Sequence, residues 1–298
     1  MTRSPARSVS DAMLKCGWIL AGPGSWTTRV TNGAVLPVSA RLEDAWLRVE
    51  AQIPELPETS WWQLLVAGCS LPPLVRLALT CAADRAMSVR LVADLEAGEC
   101  DDWPSRVTGV LEALMASVPG LHPARLDDRD PEPESRPPES VSEAIREAGW
   151  ACEDRGEGGC DISLDGDRIR ATARVEARGE GLCLWAPVAR NVRPGHEDCT
   201  DAIALFLLRT AHRLRAVRAA FREEPGKPEA AVGWEARLPG RPESEEIDRA
   251  LAALTVACQL SVREVEALFT PALARHYLTQ RGARSHRRAP PTKAPTSR

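Results

Sequence analysis

Lysine, tyrosine and phenylalanine are nearly missing from this chain. Of its 38 basic residues only three are lysines (Lys15, Lys227 and Lys293), and 298 residues hold one Tyr and three Phe. The arginine preference reads as a bias toward GC-rich codons, not as a device for phosphate or carboxylate recognition. No two of the nine cysteines have C-x-x-C spacing, and nine is an odd number. Unpaired cysteines of this kind read as small buried hydrophobes in a reducing cytoplasm. The opening MTRSPARSVSD lacks the apolar core of a signal peptide. The longest apolar stretch, 61–75, is too short to span a bilayer and contains Pro72-Pro73. These absences predict a cytoplasmic protein with no membrane partner.

Positive charge is also scarce where nucleic-acid binding would need it. Net charge is −4, and residues 1–120, 121–140 and 141–277 are each mildly acidic. Only 278–298 is basic, with six basic and no acidic residues. A nucleic-acid binder usually shows the reverse, a basic folded face. The folded part is therefore expected to bind no nucleic acid, and the tail reads as a solvated, disordered terminus.

What the sequence does contain is a repeat. SVSDAMLKCGW (8–18) returns as SVSEAIREAGW (140–150), 132 positions later. Each predicts a short amphipathic helix, capped by Ser10 or Ser142 and stopped by Gly17 or Gly149, with the Trp packing back. Asn32-Gly33 is answered by Asp165-Gly166, both tight-hairpin signals. VLPVSARLE (35–43) is answered by RIRATARVE (168–176). A second hairpin follows, through Glu43-Asp44 into 45–53 and through 178–181 into 182–188. An apolar helix comes next, 61–69 in the first copy and 200–214 in the second. Two more strands follow: 75–81 and 87–95, turning at Asp84-Arg85, then 217–223 and 230–238, turning at Pro225-Gly226. Helices close the copies at 101–118 and 244–260, with a further helix over 261–278 broken near Pro271. Between the copies, 119–139 is rich in proline and acid and reads as a connector.

The expected fold class is α+β. Two tandem α-β-β-β-α-β-β-α domains, 8–118 and 140–278, each form an antiparallel five-stranded sheet with helices packed on it. Residues 279–298 form a disordered basic tail. This order, with its Gly-Trp helix ends, NG/DG meander, central apolar helix and closing helix, resembles the class I type III secretion chaperones and the wider YbjN-like group. The resemblance implies a protein or peptide client bound as an extended segment, and two copies on one chain imply an intramolecular pseudo-dimer. A homodimer that uses one copy for self-association is the alternative.

An antiparallel sheet offers edges to an added strand. Candidate partner-binding residues are Trp61, Trp62, Trp46 and Leu65, since large amphipathic rings favour recognition surfaces. The competing reading is that Trp18, Trp26, Trp46, Trp61, Trp62 and Trp103 fill a core poor in Phe and Tyr. Adjacent rings on one helix cannot share one core, so Trp61-Trp62 predicts an interface for at least one of them. His196-Glu-Asp-Cys199 reads as a polar helix start, not a metal site. Asp84 and Asp165-Gly-Asp167 read as turns. Gly156-Glu-Gly-Gly159 lacks the context of a phosphate loop. No catalytic residue, metal or cofactor is expected. The chain reads as a non-catalytic binding protein, with a scaffold or an enzyme site between the copies as alternatives.

Overall fold

The computed structural model describes residues 5–32, 34–53, 60–81, 87–97, 102–121, 141–156, 158–166, 170–178, 181–192, 197–223 and 230–281. The first half runs α1 (Pro5–Lys15), β1 (Ile19–Gly22), β2 (Ser25–Asn32), β3 (Ala34–Glu43), β4 (Trp46–Gln52), α2 (Trp61–Cys69), β5 (Arg76–Cys81), β6 (Met87–Glu96) and α3 (Trp103–Gly120). The second runs α4 (Val141–Glu147), β7 (Cys152–Gly156), β8 (Gly159–Asp165), β9 (Arg170–Arg178), β10 (Gly181–Val192), α5 (Glu197–Ala211), β11 (Arg218–Glu223), β12 (Ala230–Leu238), α6 (Ser244–Leu268) and α7 (Pro271–Arg281).

The element order repeats, with one correction. Each sheet has six strands, not five, in the orders β1-β2-β3-β4-β6-β5 and β7-β8-β9-β10-β12-β11. All pairings are antiparallel and the two sheets share no strand. The additional strand in each half, β1 or β7, follows at once on the first helix. It returns through a short turn, at Gly22-Pro23-Gly24 or within 156–159. Gly156 and Gly159, weighed above as part of a phosphate loop, instead pair with each other where β7 gives way to β8, and Glu157 lies outside the described residues.

The helix stop is as expected. Gly17 (φ 79°) and Gly149 (φ 85°) adopt the left-handed conformation that glycine tolerates best. The amides of Trp18 and Trp150 reach back to the carbonyls of Met13 and Ile145, and those of Gly17 and Gly149 to Leu14 and Arg146. This closes the last turn in the same way in both halves. Trp18 is then buried, while half-buried Trp150 donates its indole N–H to Asp248 at 2.9 Å. The serine caps are a correction. Ser10 lies well inside α1, which begins at Pro5, a residue whose fixed φ suits a first helical position. Ser142 is the second residue of α4 and is buried.

The core of each half joins its closing helix to its sheet. Val107, Val110 and Leu114 of α3, and Ile247, Leu251 and Leu254 of α6, are fully buried. The predicted break near Pro271 falls between α6 and α7. Helix α3 runs through Gly120 to a buried Leu121, and α7 to Arg281, beyond the bounds 118 and 278 read from sequence. The expected connector beyond residue 121, the tail beyond 281, and the turn residues Gly33, 84–85, 179–180 and 225–226 lie outside the described residues. Among the described residues no helix is long and apolar enough to cross a membrane.

Candidate functional site at the contact between the halves

Helix α2 begins with a capping box. Ser60 accepts from the Gln63 amide at 3.1 Å, and the Gln63 side chain accepts from the Ser60 amide at 2.9 Å. At its other end, the last carbonyls of any helix lack intrahelical donors and carry the negative end of the dipole. Here the second half supplies the donors. Arg218 donates to the carbonyls of Leu71 (2.9 Å) and Cys69 (3.5 Å), and Arg237 to that of Cys69 (3.3 Å). The first half answers at the end of α5. Arg76 donates to Ala211 (3.2 Å) and Leu214 (2.8 Å), and Arg48 to His212 (2.8 Å) and Leu214 (3.2 Å). Each half therefore caps the central helix of the other.

Carboxylates of the same sheets neutralise these buried cations. Asp94 sits opposite Arg48 in register, accepts from its Nε at 2.9 Å, and forms a 2.6 Å ion pair with Arg76. Glu235 sits opposite Arg218 and is met by Arg218 at 2.5 Å, Arg237 at 2.7 Å, Arg222 at 3.4 Å and Arg178 at 3.8 Å. Burial alone would raise the Glu235 pKa, but the charges of Arg218 and Arg237 outweigh it and bring it down to about 2. Burial also pushes the Arg76 guanidinium below the usual arginine value, against the pull of Asp94.

Helix α2 packs on β11, α5 packs on β5, and the two helices pack on each other. Cys69 covers part of the β11 edge: its Sγ accepts the Phe221 amide at 3.3 Å. Burial raises the Cys69 thiol above its ordinary value. Around the rim, Glu50 bridges Arg90 (2.7 Å) and His212 (3.1 Å), and Arg215 lies over the Trp46 ring at 6.0 Å.

The four residues singled out from sequence divide in two groups. Trp61 and Leu65 are 6% and 0% exposed and belong to the core. Trp62 is half-buried and meets Phe221 of the second half, ring centroids 5.5 Å apart. Its backbone N–H donates to Asp201 of α5 at 2.9 Å. The expected interface ring of the Trp pair is therefore Trp62, and what it faces is this chain. Trp46 lines a cavity of about 450 Å³ between the halves. Trp18, Trp26 and Trp103 are buried, as the core-filling reading has it.

Sequence reasoning did not single out Arg48, Arg76, Arg218, Arg237, Asp94 or Glu235. An arginine and a carboxylate inside otherwise apolar strands were the available signal. Of the predicted polar helix start, His196 lies outside the described residues. Asp198 pairs with Arg275 at 3.3 Å, and Cys199 lies 3.7 Å from the Phe269 carbonyl. Among the described residues no group of three His, Cys, Asp or Glu is placed to hold a metal ion.

The outer sheet edges differ. Strand β1 exposes Ile19 (70%) and Leu20 (57%), whereas β7 at the same position exposes Glu153, Asp154 and Arg155. Charge on an edge strand discourages pairing, and an apolar open edge invites it. Beside β1 a groove of about 780 Å³ runs across the sheet face past Thr27, Ser39, Gln52 and Arg90. No protein-family model matches this chain, and no curated protein matches it.

Proposed function

We propose that this chain is a non-catalytic, chaperone-like binding protein, an intramolecular pseudo-dimer that takes up an extended segment of a client protein. The observation that carries this reading is the contrast between the two outer edges. The apolar β1 is open where its counterpart β7 is charged, so the client adds as a strand beside β1. Main-chain hydrogen bonds there supply affinity, and the adjoining groove sorts side chains. The reciprocal helix caps support the pseudo-dimer, with α2 and α5 turned to each other rather than to a client. The carboxylates at the contact are ion-paired, which favours binding over acid-base chemistry. The eight described cysteines are free thiols, in keeping with a cytoplasmic setting.

The test is capture of a partner from the native cell, followed by hydrogen exchange on the complex. The bound partner slows exchange at 19–22, and changing both Ile19 and Leu20 to Lys releases it. A partner held equally well by that double variant contradicts the reading. The same apolar edge favours one second reading, a homodimer joined β1 to β1, which light scattering reveals as a doubled mass that the same substitutions halve.

A further inference from the structure

The cavity between the halves lies at the opposite end of the first sheet from β1, and the client reading leaves it without a role. Its volume of about 450 Å³ falls inside the range of about 300–1,000 Å³ usual for small-molecule sites. It is partly open to solvent, so a ligand can enter without parting the halves. The repeat supplies its apolar walls twice over. Val75-Arg76, entering β5, matches Val217-Arg218, entering β11. Arg76 sits opposite Val92 and Arg218 opposite Glu235, so Leu95 of β6 matches Leu238 of β12. Aligning the buried residues of α3 and α6 (Val107 with Ile247, Leu114 with Leu254) matches Val110 with Ala250. All six apolar members of these three pairs line the cavity.

Charge decides what those walls accept. Five arginines line the cavity together with Asp94, Glu96, Glu235 and Glu246. Arg76 pairs with Asp94, Arg218 and Arg237 with Glu235, and Arg249 with Glu96. Arg106 donates to the Glu96 carbonyl at 3.4 Å and lies 5.1 Å over the Trp103 ring. Glu246 accepts the Glu243 amide at 3.0 Å. A charged ligand of either sign would compete with these contacts, whereas an uncharged one leaves them intact.

Three further features of the walls fit a bound apolar molecule. Leu74 is 44% exposed at the cavity, an apolar side chain that such a molecule would cover. Ala216, also exposed there, has φ 60°, a left-handed conformation that alanine rarely adopts, and strain of this kind gathers at ligand sites. Space is available at one defined point, since a Cβ built on Gly109 meets nothing within 4 Å and the φ of Gly109 lies outside the left-handed region.

We infer that this cavity binds an uncharged, apolar small molecule, held against the matched Val75 and Val217 and beside Trp46 and Leu74. Calorimetric titration of the full chain tests this with decanol, decanoate and decyltrimethylammonium as probes, three decyl chains that differ in the charge of the head. Decanol binds one to one, at least tenfold more tightly than either charged probe. Leu74→Glu puts a carboxylate on the wall at an exposed position, and weakens decanol at least tenfold with circular dichroism and melting midpoint unchanged. Gly109→Phe fills the open space without altering charge and weakens decanol to a similar degree, a second readout should the Glu variant not fold. A charged probe that binds as tightly as decanol would overturn the ligand class. Undiminished decanol binding by either folded variant would overturn the location, and no saturable uptake of decanol by the unsubstituted chain would overturn the whole inference.

Discussion

Arg76 and Arg218 each open the edge strand nearest the other half, and each donates to the carbonyls at the end of the other half's central helix. Both are buried and both are ion-paired, to Asp94 and Glu235. Removing one partner of a buried pair costs roughly 3–5 kcal/mol, because the other charge is left uncompensated. Arg76→Ala and Arg218→Ala are each expected to cost close to the lower end of that range, since second arginines remain. Each substitution removes contacts on both halves, so both halves lose stability. Urea unfolding followed by circular dichroism should show one transition in each variant, shifted to lower urea.

Acid should weaken the contact within a defined window. The Glu235 pKa is about 2 in the folded chain against an ordinary 4.5. A carboxylate depressed in this way stabilises the fold fully above about pH 4.5, and its contribution fades as pH falls toward 2. At about 1.4 kcal/mol per unit the loss is roughly 3 kcal/mol. Denaturant unfolding at stepped pH should show stability declining between 4.5 and 2. In Glu235→Gln the starting stability is lower and the decline over that window is shallower.

Trp62 and Phe221 form an aromatic contact between the halves. Aromatic pairs contribute about 0.5–1.5 kcal/mol beyond the area they bury. A double-mutant cycle with Trp62→Ala and Phe221→Ala should return a coupling energy in that range. Additive effects would mean that the two rings do not stabilise each other.

Leu65→Ala and Leu20→Lys should behave oppositely. Leu65 is fully buried in α2, and truncation of such a leucine costs about 2–5 kcal/mol. Leu20 is exposed, so its change should alter stability by no more than about 0.5 kcal/mol while abolishing client capture. Thermal melts and capture assays on the two variants separate a core residue from a docking residue.

Local signals carried much of this fold in the sequence. The recurring Ser-Val-Ser and Gly-Trp segments announce the repeat, and Gly17 and Gly149 stop their helices as glycine at that place should. Alternating strands bounded by turn residues placed β3 to β6 and β9 to β12 within a few positions. Strands β1 and β7 were missed because they are short, start directly after the helix, and in β7 carry charge instead of apolar alternation. The contact between the halves was hidden for a different reason. Arg76 finds its acceptors at Ala211 and Leu214, and Arg218 at Cys69 and Leu71, partners that no local pattern specifies. The Trp61-Trp62 pair did announce an interface, yet only the packing of α2 on β11 reveals that Trp62 faces the second half.

Cutting the chain between Leu121 and Val141, at an introduced protease site, measures most directly whether the halves hold each other. Because α2 and α5 are capped and covered across the contact, the cut protein should remain one particle of 32.4 kDa by light scattering. The same cut in the Arg76→Glu, Arg218→Glu double variant should release two separate pieces. Spontaneous parting of the halves in the unsubstituted, cut protein would contradict the account.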